Sequence, residues 1–376
     1  MRFAMPPRRK TVLQTAPWPA DTELVGLVFD LQAQSDGSLY SQYAIALHAW
    51  FLDQVRQSNP DLSAYLHDGE SEKPFTMSRL EGITVGVSGA PQLQAGQSYR
   101  WYVSALSKPV VQWMAAWLQS PPALLELRGM PLKIVNWAIA HPATTYAKLL
   151  AIDCPAAPTV ALTFTSPTSF RRKGHHLPLP MPTNVFHSYL RRWNDFSGNP
   201  YDPEDYLAWV DETVLILRHH LRSMKVVAGK QGAITGFVGA VEFGLARPQA
   251  ADPDYKRLFV ALGQLAPYCG TGHKTTFGLG QTRLGWTVDT PTAALPSRQD
   301  LLAQRIEQLT EQFIAQRKRT GGDRASHIAE TWATILARRE WGESLYDIAD
   351  DLEMPYETVK TYAKLARRAV REEEQI

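Results

Sequence analysis

The feature that most constrains this chain is a change of periodicity near residue 288. Before it, short apolar segments of strand and helix type alternate. From Leu301 onward strand patterns disappear, and "LLAQRIEQLTEQFIAQRKR", "ASHIAETWATILARRE", "SLYDIADDL" and "PYETVKTYAKLARRAVREEE" all carry helical spacing. The stretch "DTPTAALPSRQD" between the two regimes has the composition of a linker. The sequence therefore predicts a mixed body of residues 1–287, a linker over 288–300 and an all-helical segment over 301–376. In that segment the last two helices are separated only by Glu353-Met354, with Pro355 at the favoured first helical position. This is helix-turn-helix spacing.

The body divides again near residue 153. In residues 1–153, "ELVGLVFDLQ", "ITVGVSG" and "YRWYVSAL" read as strands. "SLYSQYAIALHAWFLDQVRQ" is helical, with Tyr43, Leu47, Trp50 and Val55 on its apolar side, and "KPVVQWMAAWLQS" is a second helix stopped by Pro121-Pro122. In residues 154–287, "TVALTFTSPTSF" and "TRLGWTV" read as strands and "GAITGFVGAVEFGLA" as a hairpin or bulged strand. "MPTNVFHSYLRRWNDF", with Thr183 or Asn184 as its expected cap, and "YKRLFVALGQLAPYCG" read as helices. Each half has the split βαβ order of ferredoxin-like units. The expected fold is thus α+β: two tandem ferredoxin-like (RRM-like) domains followed by a small all-α helix-turn-helix domain.

Composition removes several classes of function. The chain has 376 residues, enough for two or three domains. No apolar run of ~18 residues exists, and the basic N-terminus lacks an apolar core, so neither a membrane span nor a secretory signal is expected. Cys154 and Cys269 are far apart in sequence, and a reduced cytoplasmic protein is the simpler reading. His175-His176 and His219-His220 have no thiol or carboxylate at ligand spacing, so no metal is expected. With a net charge of only +2, any nucleic-acid contact must rest on local positive charge.

"YCGTGHKTTFGLGQ", Tyr268 to Gln281, has the glycine content of a phosphate-holding loop. It is not a P-loop, because Tyr268 and His273 occupy both required glycine positions. It is not a dinucleotide fingerprint, because Arg283 takes the third glycine position. No nucleotide cofactor follows. Lys274, Gly278 and Gly280 remain as contacts to a nucleic-acid backbone, or as an ordinary flexible turn.

Four segments in order resemble the CRISPR-associated endoribonucleases that process precursor CRISPR RNA, within the RAMP superfamily. They are "QVRQSNPDLSAYLHDGESEKPFTMSRL", "FTSPTSFRRKGHHLPLPMPTNVFHSYLRRWN", "GAITGFVGAVEF" and the glycine stretch with its "FGLG". The resemblance implies cleavage of CRISPR repeat RNA without metal or other cofactor. The adjacent 2′-OH would attack the phosphate, leaving a 2′,3′-cyclic phosphate and a 5′-OH. It implies a catalytic role for His67 of "YLHD" and charge stabilisation by Lys73 of "EKPFTMS". Some members carry a catalytic tyrosine on the preceding helix, where this chain has Leu52. His48, one turn earlier, is either its replacement or a histidine satisfied in an apolar helix. Position in the family pattern raises Arg171, Arg172, Lys173, Arg191 and Arg192 to RNA contacts. Implied partners are repeat RNA, retained after processing, and other effector subunits. A non-catalytic RNA-binding subunit is an alternative.

The resemblance does not reach the helical tail. There "GESLYDIADDLEMPYETVKTYAKLARRAV" looks like the helix-turn-helix of sigma-factor-type regulators, which keeps a DNA-binding regulator open. Val359, Ala363, Ala366 and Val370 fall on one face, and Lys360, Lys364, Arg367 and Arg371 on another. The basic stripe would touch DNA or RNA phosphates, or be a solvated face opposed by nearby "DIADDLE".

Overall fold

The computed structural model describes residues 17–40, 42–67, 72–85, 90–172, 175–227, 233–287, 298–316 and 322–373. The first unit runs β1 (Leu24–Ala33), β2 (Gly37–Ser38), α1 (Tyr43–Ser58), α2 (Pro60–His67), β3 (Phe75–Met77), β4 (Thr84–Val85), β5 (Pro91–Leu93), β6 (Ser98–Ala105), α3 (Lys108–Trp117), β7 (Leu124–Leu127), β8 (Met130–Thr144) and α4 (Tyr146–Leu150). Its main sheet has the order β3-β6-β1-β8-β7, with antiparallel pairing throughout. With β7 set aside as a hairpin added to β8, β1 lies between β6 and β8. That is the strand order of a ferredoxin-like unit. Alternate residues of β1 and β6, Phe29 and Trp101 among them, pack with Phe51 of α1 and Trp113 of α3 in one core. Each such buried side chain contributes about 1.5–3 kcal/mol.

The second unit repeats the plan. It runs β9 (Val160–Thr168), β10 (Phe170–Arg172), β11 (His175–Leu177), α5 (Pro182–Phe196), α6 (Pro203–Thr213), β12 (Val214–Val227), β13 (Ala233–Leu245), α7 (Pro253–Cys269), a 3₁₀ turn (Thr275–Phe277) and β14 (Thr282–Leu284). The sheet order β12-β13-β9-β14 is the same four-strand arrangement. Phe164, Val241 and Phe243 of the sheet meet Phe186 and Tyr189 of α5 and Leu258 and Leu262 of α7. Both ferredoxin-like units are therefore present.

Several local expectations change. The fourth strand of the first unit, β8, and the second strand of the second unit, β12, carry no clear sequence alternation. Helix α5 starts at Pro182 after Met181, with no side-chain cap, so Thr183 and Asn184 lie inside its first turn. Proline supplies the start there, because its fixed φ suits the first helical position. The segment "GAITGFVGAVEFGLA" forms one strand, with a register shift against β9 between Phe237 and Gly239. Both cysteines are free thiols.

The tail comprises α8 (Arg298–Ala315), α9 (Gly322–Glu340), α10 (Leu345–Asp351) and α11 (Tyr356–Glu373). Val359, Ala363 and Ala366 are buried as the spacing requires, and Val370 is half-buried. Glu353, in the tight turn before α11, takes a left-handed φ of 51°. Buried Arg338 holds α9 to α10 through Asp351 at 2.9 Å. The tail touches both units: Glu307 of α8 pairs with Lys225 of β12, and Asp350 pairs with Arg128 of the β7–β8 turn at 3.5 Å. Among the described residues, no helix is long and apolar enough to cross a membrane.

Candidate active site

The site forms where the first unit meets the glycine stretch of the second. Helix α1 buries Leu47, Phe51 and Val55. Leu52 is also buried there and belongs to the core. His48, half-buried, stacks on Phe277 with ring centroids 4.5 Å apart and lies 5.8 Å from the Phe75 ring. Burial holds its pKa down to about 4, and the charges of His67 and Lys73 push in the same direction. His48 is thus a neutral imidazole at neutral pH.

His67 is the exposed last residue of α2. Lys73 donates from Nζ to the Leu66 carbonyl at 2.8 Å. That carbonyl is at the C-terminal end of α2, where unpaired carbonyls and the helix dipole favour a cation. The bond sets the ammonium beside His67. His48, His67 and Lys73 are consequently brought together.

The glycine stretch is held in shape by the protein itself. Gly270, Gly272, Gly278 and Gly280 all have positive φ, as does Lys274. The amides of Thr271, Gly272, His273, Gly280 and Gln281 donate to Gly280 O, Ser188 Oγ, Ser169 O, Pro167 O and Ser166 Oγ. Gly278 and Gly280 are themselves buried. A Cβ at 278 would stand 2.7 Å from the Arg79 amide nitrogen, and one at 280 would collide with the Thr271 carbonyl. Conformation demands glycine at both positions, reinforced at 278 by packing between the units and at 280 by packing within the second unit. This replaces the expectation that their backbone lies open to phosphate.

A basic cluster flanks the stretch. Arg171 of β10 and Arg191 of α5 are exposed, and Lys274 is half-buried. Burial lowers the Lys274 pKa, Arg171 adds to this, and Glu330 of α9 opposes it. His273 is held to about 4 by burial and then by Lys274, His176, Arg171 and Arg191. Burial, then Lys274 and Arg171, also lowers His176, whose ring centroid is 5.8 Å from that of His273. Neither histidine is marked as a member of this cluster by the sequence, where His176 stands out only as half of the pair His175-His176. Among the described residues no group of three His, Cys, Asp or Glu could hold a metal.

Arg192 requires a correction. It is only 4% exposed, and its guanidinium donates to the Ser188 carbonyl and hydroxyl, the Gly272 carbonyl and the Thr275 hydroxyl. It faces inward and offers no surface to RNA. The sequence held the signal: Val185, Tyr189 and Arg192 fall on one helical stripe. Arg172 pairs with His175 through the backbone, and Lys173 lies outside the described residues. Lys360, Lys364, Arg367 and Arg371 are all exposed on α11, far in sequence from this site.

A family model described as CRISPR-associated endoribonuclease Cas6 matches residues 162–282, and one described as CRISPR Cas6 N-terminal domain matches residues 25–118. The chain is similar to the Cas6 (TTHB231) product complex, a Thermus thermophilus protein, at 25% identity and TM-score 0.56, covering 70% of this chain and 100% of that one. A Cas6 (TTHA0078) product complex gives 27% identity and TM-score 0.54, covering 70% and 99%. The substrate mimic complex of that protein gives 26% and 0.54, covering 70% and 100%. No curated protein matches the chain.

Proposed function

This chain belongs to the Cas6 family of CRISPR-associated endoribonucleases, and from that premise we propose that it cleaves precursor CRISPR RNA within the repeat by attack of the RNA's own 2′-OH. The observation that carries this reading is the convergence of His48, His67 and Lys73 beside Phe277 of the glycine stretch.

In the proposed reaction a bond forms from the 2′-oxygen to phosphorus and the bond to the 5′-oxygen breaks. The products are a 2′,3′-cyclic phosphate and a 5′-OH. One group must take the 2′-OH proton and another must supply a proton to the departing oxygen. His48 is neutral and so can take a proton, but burial and the nearby His67 and Lys73 charges disfavour its imidazolium, so the RNA phosphate seated beside it must supply the stabilising negative charge. His67, at the exposed helix end, is its counterpart on the solvent side. Lys73 offsets the negative charge that builds on the phosphoryl oxygens. No nucleotide or metal cofactor enters this scheme, because the substrate carries its nucleophile.

Arg171, Arg191 and Lys274 serve as phosphate contacts that hold the repeat and retain the processed guide RNA. Gly278 and Gly280 contribute by fixing the shape of the loop that presents Lys274 and Phe277. Residues 1–153 and 154–287 act as the two RNA-handling domains, and 301–376 as an accessory one. The exposed stripe of α11 gives that segment a further nucleic-acid contact, to DNA or RNA, or a route to other effector subunits. Of the acidic run before it, Asp351 is buried and paired with Arg338, whereas Asp347, Asp350 and Glu353 are exposed and would still oppose a duplex.

The test is incubation of purified protein with its repeat RNA in excess EDTA, followed by mapping of the ends. A 5′-OH and a cyclic phosphate are expected. Intact RNA would favour a non-catalytic RNA-binding subunit, and a 5′-phosphate product would refute the proposed chemistry.

A further inference from the structure

Glu72 immediately precedes Lys73, and its surroundings come almost wholly from the other ferredoxin-like unit. Its carboxylate meets the guanidinium of Arg191 at 3.1 Å and that of Arg192 at 3.4 Å, both on α5. Its backbone N–H donates to Asp195 Oδ2 on the same helix at 2.9 Å. A segment of the first unit is therefore clasped at side chain and backbone by a helix more than a hundred positions later in the chain.

Arg192 extends this clasp to the glycine stretch. The Arg192 nitrogen that meets Glu72 also donates to the Gly272 carbonyl at 3.2 Å and the Thr275 hydroxyl at 3.4 Å. Its other terminal nitrogen is fixed by Ser188, at 2.7 Å to the carbonyl and 2.8 Å to the hydroxyl. Arg192 is buried and the Glu72 side chain is 22% exposed, so solvent screens this pair less than a surface ion pair. A planar guanidinium can serve several acceptors at fixed angles, which a lysine ammonium cannot reproduce.

We infer that Glu72 and Arg192 are positioning residues for RNA cleavage, locking Lys73 and the end of α2 in register with the glycine stretch. Neither residue touches RNA in this role. Glu72 acts through Lys73, its neighbour in the chain, whose ammonium in turn bonds the carbonyl next to His67. Arg192 acts through Glu72 on one side and through Gly272 and Thr275, which flank Lys274, on the other. Misplacement of a catalytic group by ~1 Å can cost ~10²-fold in rate. The inference rests on the proposed role of Lys73.

The experiment is a double-mutant cycle in the full-length protein, with single-turnover cleavage of repeat RNA at saturating protein, RNA affinity, and thermal unfolding measured for each variant. Glu72→Gln keeps the shape and removes the charge. It should slow cleavage by ~10-fold or more, within the cost of misplacement, while affinity does not fall, because Arg191, the phosphate contact beside Glu72, keeps its charge and loses only a competing carboxylate. Lys73→Ala should be slow, and Glu72→Gln should add little to it, since residues acting as one unit are not additive. Arg192→Lys should slow cleavage in the same way. If that variant fails to fold, the Glu72 cycle alone decides. Wild-type cleavage by Glu72→Gln beside a slow Lys73→Ala would overturn this inference alone. So would a Glu72→Gln loss that multiplies in full onto Lys73→Ala, or one seen in affinity and not in rate. Normal cleavage by Lys73→Ala would overturn the Lys73 role and this inference with it.

Discussion

Replacing Gly278 by alanine isolates what the glycine stretch does for the joint between the two units. Gly278 has φ +78°, and an L-residue in that conformation costs about 1–2 kcal/mol. The added Cβ would also stand 2.5 Å from Arg79 Cγ, 2.7 Å from the Arg79 nitrogen and 3.1 Å from the Ser78 carbonyl carbon. The Arg79 side chain can swing away. The backbone cannot, because Ser78 is bonded to Tyr102 of β6 through its amide at 2.9 Å and through its hydroxyl at 2.9 Å. Overpacking of that kind costs about 1–3 kcal/mol, so the total is about 2–5 kcal/mol. Gly96 supplies the control: its φ is +77°, and a Cβ there would meet nothing within 4 Å. Gly96→Ala should lose only about 1–2 kcal/mol. Urea unfolding of the two full-length variants measures the difference as a shift in midpoint. Gly278→Ala should also slow cleavage, because the same displacement carries Phe277 away from His48. Equal destabilisation by the two substitutions would refute the packing argument.

His67→Ala should lower the single-turnover rate by ~10²-fold or more, the scale of a lost acid or base, with RNA affinity nearly unchanged; an unaffected rate would move the active centre elsewhere. His48→Ala should give a comparable loss, whereas a normal rate would return His48 to the core. Stability should fall with acid, because His48, His141 and His273 are held to about 4 by burial, below the ~6.5 of an unfolded histidine. Below ~6.5 the unfolded chain binds more protons, so this stabilisation is present above ~6.5 and is lost as pH falls toward 4. A thermal midpoint that does not change between pH 7.5 and pH 4.5 would contradict it. Changing Lys360, Lys364, Arg367 and Arg371 together to Gln should weaken nucleic-acid binding and flatten its salt dependence, leaving the cleavage rate at saturation within a few-fold; unchanged binding would make the stripe a solvated face.

The helices α1, α3 and α5 were legible because each buries an apolar stripe, and α7 because it is a long apolar run buried on nearly every side from Leu258 to Cys269. Strand β8 was not, since few of its residues are fully buried. Strand β12 was not, since it lies at a sheet edge and carries Arg218, His219, His220 and Arg222 among exposed Leu215 and Leu217. His67, Lys73 and the Arg171 cluster lie in local motifs, but neither their arrangement nor the membership of His176 and His273 is legible there. The His48–Phe277 stack joins residues from the two units, and only folding brings them together. Arg191 and Arg192 show the same limit at close range. Neighbours on a helix point about 100° apart, so one guanidinium reaches solvent while the other is enclosed.

In the proposed reaction the RNA supplies the nucleophile and the protein arranges proton transfer around it. Replacing one 2′-OH by hydrogen, at the nucleotide 5′ to the mapped cut, tests this most directly. With the 2′-OH as nucleophile, the deoxy repeat binds with unchanged affinity and stays uncut, while deoxy substitution one nucleotide further away leaves cleavage intact. Cleavage of the deoxy repeat at the normal position and rate would contradict it.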